Sequence, residues 1–212
     1  MLRWNADALK LYVILDPVLC GGGRGMVETA LAAAAGGATL FQLRTPQWKK
    51  RAMAECAREL LRALRPLGIP LIIDDHADVA AAVGADGLHV GQADLSPEDA
   101  RKVIGPQAIL GLSVGSMEEA KLAPKLGVDY WGVGPVFTTT SKPDAGEAIG
   151  LEGLAALARA ATAPIVAIGG INRTNARSTI ECGARGVAVI SAVCGQPDPE
   201  DAARTLLTVI ES

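Results

Sequence analysis

The segment Leu71–Asp94, LIIDDHADVAAAVGADGLHVGQAD, gathers the residues of this chain most suited to chemistry. Two short apolar runs, Leu71–Ile73 and Gly87–Val90, empty into carboxylates: Asp74 and Asp75 after the first, Asp94 just beyond the second. A short helix is expected between them, over Ala77–Val83. Parallel strands joined by a helix place their C-terminal ends side by side at one edge of a sheet. Carboxylates at such ends can converge on one cation. Mg²⁺ serving a phosphorylated substrate is held in this way, by one or two carboxylates plus substrate oxygens.

The other expected strand ends are polar too: Asp16, Gln42, Arg44, Gln92, Ser113, Thr139–Lys142, Gly169–Gly170 and Ser191. One such residue means little, but the mixture is selective. Anion donors (Arg44, Lys142, hydroxyls, glycine amides) beside cation ligands (Asp75, Asp94) suit a Mg²⁺–diphosphate, whose charge needs both. Ala167-Ile-Gly-Gly-Ile-Asn and Val189-Ile-Ser-Ala read as loops that hold a phosphate on backbone N–H groups, with the Ser191 hydroxyl added. The plainer alternative is that the two glycines merely turn the chain. Asn172 is expected to cap the following helix rather than meet a ligand. The longest stretch without periodicity, Gly134–Glu147, reads as a hydroxyl-rich loop over the site, with Lys142 reaching a phosphate. His89 alternates with Leu88 and Val90 and is expected to line the interior, hydrogen-bonded; His76 follows the Asp pair, at the rim or in solvent. Neither sits in a Ser or Cys arrangement that suggests a nucleophilic triad.

The elements that must position these groups alternate from end to end. Strands are expected at Leu11–Leu15, Leu40–Leu43, Leu71–Ile73, Gly87–Val90, Ile109–Leu112, Tyr130–Val133, Ile165–Ile168 and Gly186–Ile190, all short and rich in Val, Ile and Leu. Strands covered on both faces read this way. Helices are expected at Met26–Ala35, Trp48–Arg65, Ala77–Val83, Pro97–Ile104, Met117–Leu126, Leu151–Ala161, Thr174–Cys182 and about Pro199–Ile210. Ser96, Ser116 (with Glu119 three residues on) and Asp198 stand where caps belong. Gly84, Gly127 and Gly183 each close a helix before a strand. Eight such units predict a single-domain (β/α)₈ TIM barrel over residues 1–212, with its chemistry at the C-terminal strand ends. A doubly wound sheet is the alternative, disfavoured by the count of eight and by the lack of G-x-G-x-x-G after the first strand.

Bulk composition excludes more than it identifies. Half of the 212 residues are hydrophobic but only 3% are aromatic, so the core must be aliphatic. A net charge of −3 provides no basic stripe for nucleic acid and no polybasic membrane patch. No apolar stretch approaches the roughly 18–20 residues that span a bilayer. The N-terminal segment mixes charge where a signal peptide needs an apolar run, so a cytoplasmic location is expected. Cys20, Cys56, Cys182 and Cys194 lack metal-site spacing and read as small hydrophobes in a reducing compartment.

In order, Leu11-Tyr-Val-Ile-Leu-Asp, Phe41-Gln-Leu-Arg, Ile73-Asp-Asp, Gly87-Leu-His-Val-Gly-Gln-Ala-Asp, Gly134-Pro-Val-Phe-Thr-Thr-Thr-Ser-Lys, Ile168-Gly-Gly-Ile and Gly186-Val-Ala-Val-Ile-Ser resemble the thiamine-phosphate synthase family. The match runs from about Leu11 to Ser191. The resemblance implies a (β/α)₈ barrel that joins hydroxymethylpyrimidine diphosphate to thiazole phosphate with Mg²⁺, by dissociative loss of pyrophosphate. By position it implies Asp75 and Asp94 as metal ligands and Gln42, Arg44 and Ser113 as contacts around the pyrimidine. It places Lys142 on the diphosphate, and Thr139, Ser141, Gly170, Ile190 and Ser191 around the thiazole phosphate. Lys142, Arg44 and Ser113 are the expected catalytic groups. The expected partners are small phosphorylated molecules; homo-oligomerisation is left open.

Two positions depart from the family pattern. Pro46 stands where a lysine is usual, and Asp74 where an asparagine is usual. Lys49 or Lys50 is a candidate substitute for the lost cation, although a solvated basic face is the plainer reading. Together the changes make the diphosphate pocket two formal charges more negative, and a carboxylate only accepts hydrogen bonds where an amide also donates. Weaker diphosphate binding follows unless Asp74 offsets the change by ligating the metal or a second one. The competing readings are a thiazole tautomerase-like isomerase and a non-catalytic thiazole-phosphate-binding barrel. Against the isomerase stand Asp75, Asp94 and Lys142, and Pro135 where that relative can carry a histidine.

Overall fold

Apolar runs of four to six residues are too short for helices that must bury a face, and their backbone groups have to pair with one another. In the computed structural model, which describes residues 4–123, 127–141 and 146–212, they pair in parallel and close into a barrel in strict chain order, β8 returning to β1. The strands are β1 (Leu11–Leu15), β2 (Leu40–Leu43), β3 (Leu71–Asp74), β4 (Gly87–Val90), β5 (Ile109–Val114), β6 (Tyr130–Val133), β7 (Ile165–Ile168) and β8 (Gly186–Val189). The helices are α1 (Gly23–Ala35), α2 (Lys50–Leu64), α3 (Ala77–Val83), α4 (Pro97–Ile104), α5 (Met117–Leu122), α6 (Gly150–Ala160), α7 (Ala176–Glu181) and α8 (Pro199–Glu211).

Closure creates two apolar shells. The outer one lies between strands and helices, where α2 contributes Met53, Leu60, Leu61 and Leu64 against the outward faces of the strands. Each such side chain gains about 1.5–3 kcal/mol from full burial. The inner shell fills the floor of the barrel with Leu9, Leu40, Ile72, Ile109 and Val166, and Trp4 covers its base with its ring 6.0 Å from that of Tyr130. Gly111 and Gly132 leave room at the centre: a Cβ on Gly111 would strike the Tyr130 ring and His89, and one on Gly132 would lie 3.0 Å from His89.

The expected caps form. Ser96 Oγ, Ser116 Oγ and Asp198 Oδ1 accept from the N–H groups of Asp99, Glu119 and Asp201 at 3.1, 3.2 and 3.0 Å. Glu119 reaches past Ser116 to the Gly115 N–H at 2.7 Å. Several boundaries differ from expectation. Asp74 and Ser113 lie within β3 and β5, not beyond them, and β8 stops at Val189. Helix α2 begins at Lys50 because Trp48 N–H first closes a turn on Thr45 O. Helix α5 is described as far as Leu122; the end expected near Leu126 lies outside the described residues. Asn172 does not cap α7: its Oδ1 accepts from Thr174 N–H at 2.9 Å, and α7 starts only at Ala176. Asx side chains that bind nearby backbone compete with the first helical turn.

Candidate functional site

The inward positions change character from floor to mouth. Above the apolar floor, Tyr12, Gln42, Asp74, His89, Ser113 and Tyr130 point into the interior, so the last strand residues bring polar atoms to the C-terminal end. A cavity of about 580 Å³ opens there. It is lined by Gln42, Arg44, Asp74, Asp75, His89 and Ser113 on one side and by Thr139, Ser141, Gly169, Gly170, Ile190 and Ser191 on the other.

One hydrogen-bonded chain crosses the barrel beneath this cavity. Gln42 Nε2 donates to Tyr12 Oη at 2.8 Å, and the Tyr12 and Tyr130 hydroxyls meet at 3.1 Å. Tyr130 Oη lies 3.0 Å from His89 Nδ1, and His89 Nε2 lies 3.0 Å from Ser113 Oγ. Burial pushes the pKa of both phenols up, with Asp74 adding to the effect, so both keep their protons. The histidine and serine are therefore in contact, which the sequence did not suggest. Among the described residues this makes no nucleophilic triad, because the Nδ1 contact shown is to a neutral phenol where a triad places a carboxylate.

At the third and fourth strand ends the charged groups are arranged around Asp74 and Asp75. Arg44 Nε lies 3.4 Å from Asp74 Oδ2, with both side chains largely buried. Asp75 has φ 60°, the one positive φ at a non-glycine among the described residues. Its N–H donates to His89 O at 2.9 Å, while His76 N–H closes a tight turn on Asp74 O at 2.6 Å. Such a backbone costs on the order of 1–3 kcal/mol and persists only where its surroundings impose it. Asp94 sits on the exposed loop after β4, where Oδ2 accepts from Gly91 N–H at 2.8 Å; Gly91 lines the cavity and Asp94 does not. Gln92 lines it as well and donates to Ser113 O at 2.6 Å. Asp16 lies away from the cavity and accepts from Val18 and Leu19 N–H.

The residues at the two departures from the family pattern fall into distinct places. Pro46 and Lys49 are exposed, and Lys50 pairs with Asp78 at 2.7 Å on the outside of the barrel. Neither lysine lines the cavity, so Arg44 is its one Lys or Arg among the described residues. Lys142, expected on the diphosphate, lies outside the described residues.

Across the mouth, Gly170 has φ 64°, and a Cβ there would press on Thr138 O and Phe137. Backbone approach is thus open only to glycine. After β8, Ile190 O accepts from Val193 and Cys194 N–H at 3.0 and 2.8 Å, opening a turn at Ser191. The first N–H groups of such a turn have no partner within it and suit an anion. Ser141 Oγ lies 3.5 Å from Ser191 Oγ, so the loop after β6 meets the loop after β8 at this spot. Thr139 Oγ1 accepts from Ser141 N–H at 3.2 Å and shapes that loop.

Tyr12, Tyr130 and Glu119 are site residues that sequence reasoning missed. Glu119, read only as part of a cap, also lines the cavity. The available signal was that both tyrosines of the chain fall inside strands, carrying a polar tip into an aliphatic interior.

Comparison with known proteins shows the family to which this barrel is related. The sequence profile described as thiamine monophosphate synthase matches residues 11–193. A thiamine-phosphate synthase of Azorhizobium caulinodans is 53% identical over 204 residues, covering 96% of each chain. One from Moorella thermoacetica is 50% identical over 210 residues, covering 99% of this chain and 97% of its own. Among solved structures, the thiamine phosphate pyrophosphorylase from Pyrococcus furiosus superposes with a TM-score of 0.89 at 43% identity, covering 97% of both chains.

Proposed function

The chain belongs to the thiamine monophosphate synthase family, and from that premise we propose that it is the transferase that couples hydroxymethylpyrimidine diphosphate to thiazole phosphate, giving thiamine phosphate and pyrophosphate. The observation that carries this reading is the single cavity shared by two unlike walls: a charged wall at β2 to β5, and a glycine and hydroxyl wall at β6 to β8. Two phosphorylated substrates with different needs fit such a cavity. The bond that breaks joins the pyrimidine methylene carbon to a diphosphate oxygen, which keeps the electron pair; the bond that forms joins that carbon to the thiazole nitrogen. No protein nucleophile is consumed.

Gln42 and Ser113 hold the pyrimidine, and Arg44, oriented by Asp74, faces the leaving diphosphate together with Lys142. Gly170, Ile190 and Ser191 receive the thiazole phosphate on backbone N–H groups and a hydroxyl, with Thr139 and Ser141 closing from the loop above. Asp75 and Asp94 would hold Mg²⁺. The donor set fits: both are exposed carboxylates on neighbouring βα loops, and Asp94 retains Oδ1 beside its bond to Gly91. Among the described residues no group of three His, Cys, Asp or Glu could hold a metal. An ion held by this pair would be completed by substrate oxygens and water. When bound, the ion supplies positive charge to the departing diphosphate. We place the enzyme in the cytoplasm, where cysteines persist as the thiols seen at all four positions. No helix among the described residues is long and apolar enough to cross a membrane.

Incubation with both substrates and Mg²⁺, followed by oxidation of thiamine phosphate to its fluorescent product, tests the proposal. Mg²⁺-dependent product is expected. Its absence at every substrate concentration sinks the assignment, and interconversion of thiazole isomers without coupling points to the isomerase.

A further inference from the structure

Beneath the proposed pyrimidine site, the chain Gln42–Tyr12–Tyr130–His89–Ser113 has a polarity that can be worked out proton by proton. Gln42 donates from Nε2 to Tyr12 Oη, so the Tyr12 proton is left for Tyr130. Tyr130 Oη then accepts from Tyr12 and has its own proton to give to His89 Nδ1 at 3.0 Å. With Nδ1 accepting, the neutral imidazole carries its hydrogen on Nε2 and donates it to Ser113 Oγ at 3.0 Å. The opposite order strands the Tyr12 proton in an interior where that side chain is 1% exposed. A buried donor left unmade is strongly disfavoured.

The two ends of the chain thereby acquire opposite characters. Gln42 has spent one of its two N–H groups and presents Oε1 as an acceptor beside the other; Ser113 has accepted and presents its O–H as a donor. An aminopyrimidine offers the complement, an exocyclic amine that donates and ring nitrogens that accept. We infer that Tyr12, Tyr130 and His89 are positioning residues that fix the donor–acceptor polarity of Gln42 and Ser113 toward the pyrimidine ring. This inference rests on the reading of Gln42 and Ser113 as pyrimidine contacts. The space for the chain is itself built in: Gly111 and Gly132 hold no side chain where Tyr130 and His89 cross.

The chain has only two histidines, His76 and His89, so ¹⁵N-histidine labelling with long-range ¹⁵N–¹H NMR reads the His89 tautomer directly. The Nε2–H form is expected in the wild type. Tyr130→Phe should lose the single tautomer, while Tyr12→Phe, which leaves the Tyr130–His89 bond in place, should keep it. Both should raise KM for the pyrimidine diphosphate about tenfold, the loss of one buried hydrogen bond, with kcat and the thiazole-phosphate KM within about threefold. A wild-type Nδ1–H tautomer overturns the inference. So does an unchanged pyrimidine KM in both variants, or a loss shared equally by both substrates. Should the wild type make no thiamine phosphate, the functional assignment fails, while the tautomer still judges the polarity of the chain by itself.

Discussion

Arg44 Nε lies 3.4 Å from Asp74 Oδ2, and the two side chains are only 14% and 13% exposed. Asp74 stands where the family resemblance implies an asparagine, and its charge is paired inside the protein with the neighbouring arginine. The same contact orients Arg44 at the edge of the cavity and divides its charge between the carboxylate and any bound diphosphate. A near-buried pair of this kind weakens less with salt than a surface one.

Asp74→Asn should therefore release Arg44. KM for the pyrimidine diphosphate is expected to stay the same or fall by about two- to fivefold, equivalent to about 0.5–1 kcal/mol. Steady-state kinetics at fixed Mg²⁺ provide the check. A tenfold rise would instead make Asp74 a ligand of substrate or metal.

Asp75 joins a strained backbone to the proposed metal site. Asp75→Gly relieves the φ of 60° and should leave the melting temperature unchanged or higher, while activity falls by at least about 100-fold. Removal of strain worth on the order of 1–3 kcal/mol opposes the extra chain entropy of glycine. Asp94→Asn should lower activity similarly, with partial recovery in excess Mg²⁺. Thermal unfolding alongside a Mg²⁺ titration separates the two effects; a destabilised Asp75→Gly would refute the strain argument.

On the opposite wall, Gly170→Ala places a Cβ against Thr138 O and Phe137 at a positive φ. KM for thiazole phosphate should rise about tenfold or more, that for the pyrimidine diphosphate staying near its wild-type value. The fold-change corresponds to about 1.4 kcal/mol or more of lost phosphate contact. An equal rise in both constants would mean that the two walls do not act as separate subsites.

Cys20 should be the reactive thiol. The Cys194 sulfur and the Thr29 hydroxyl beside it favour its thiolate and lower its pKa, whereas burial raises Cys56 to about 11. Because the folded pKa is depressed, the Cys20 thiolate forms at lower pH than that of Cys56, and its alkylation should rise with pH well before that of Cys56. Peptide mapping after brief iodoacetamide treatment at pH 6, 7 and 8 tests the order. Preferential labelling of Cys56 would contradict it.

Much of the barrel was legible from local pattern. Eight runs of branched aliphatic residues announced strands buried on both faces, and Ser96, Ser116 and Asp198 marked helix starts that their own hydrogen bonds confirm. The polar residues at strand ends were legible for the same reason: an apolar run that stops at an aspartate or a glutamine is visible in a few letters. Asn172 was misread because a side chain that can cap a helix can equally bind backbone two residues ahead, and only the competing Asn175 bond to Asn172 N–H at 2.8 Å decides which. Tyr12 escaped because every residue of β1 is buried, so alternation no longer distinguishes inside from outside.

The sequence by itself determined the element order, the eight-fold count and the end of the barrel at which polar groups collect, since these follow from patterns spanning a few residues. Tertiary structure alone decided that Arg44 neutralises Asp74 across two strands. It also decided that Tyr12 meets Tyr130 at a separation of 118 residues, and that His89 touches Ser113. The physical reason is closure: which side chains face inward, and which of them meet, depends on strand register around a full circle, and no local pattern encodes it.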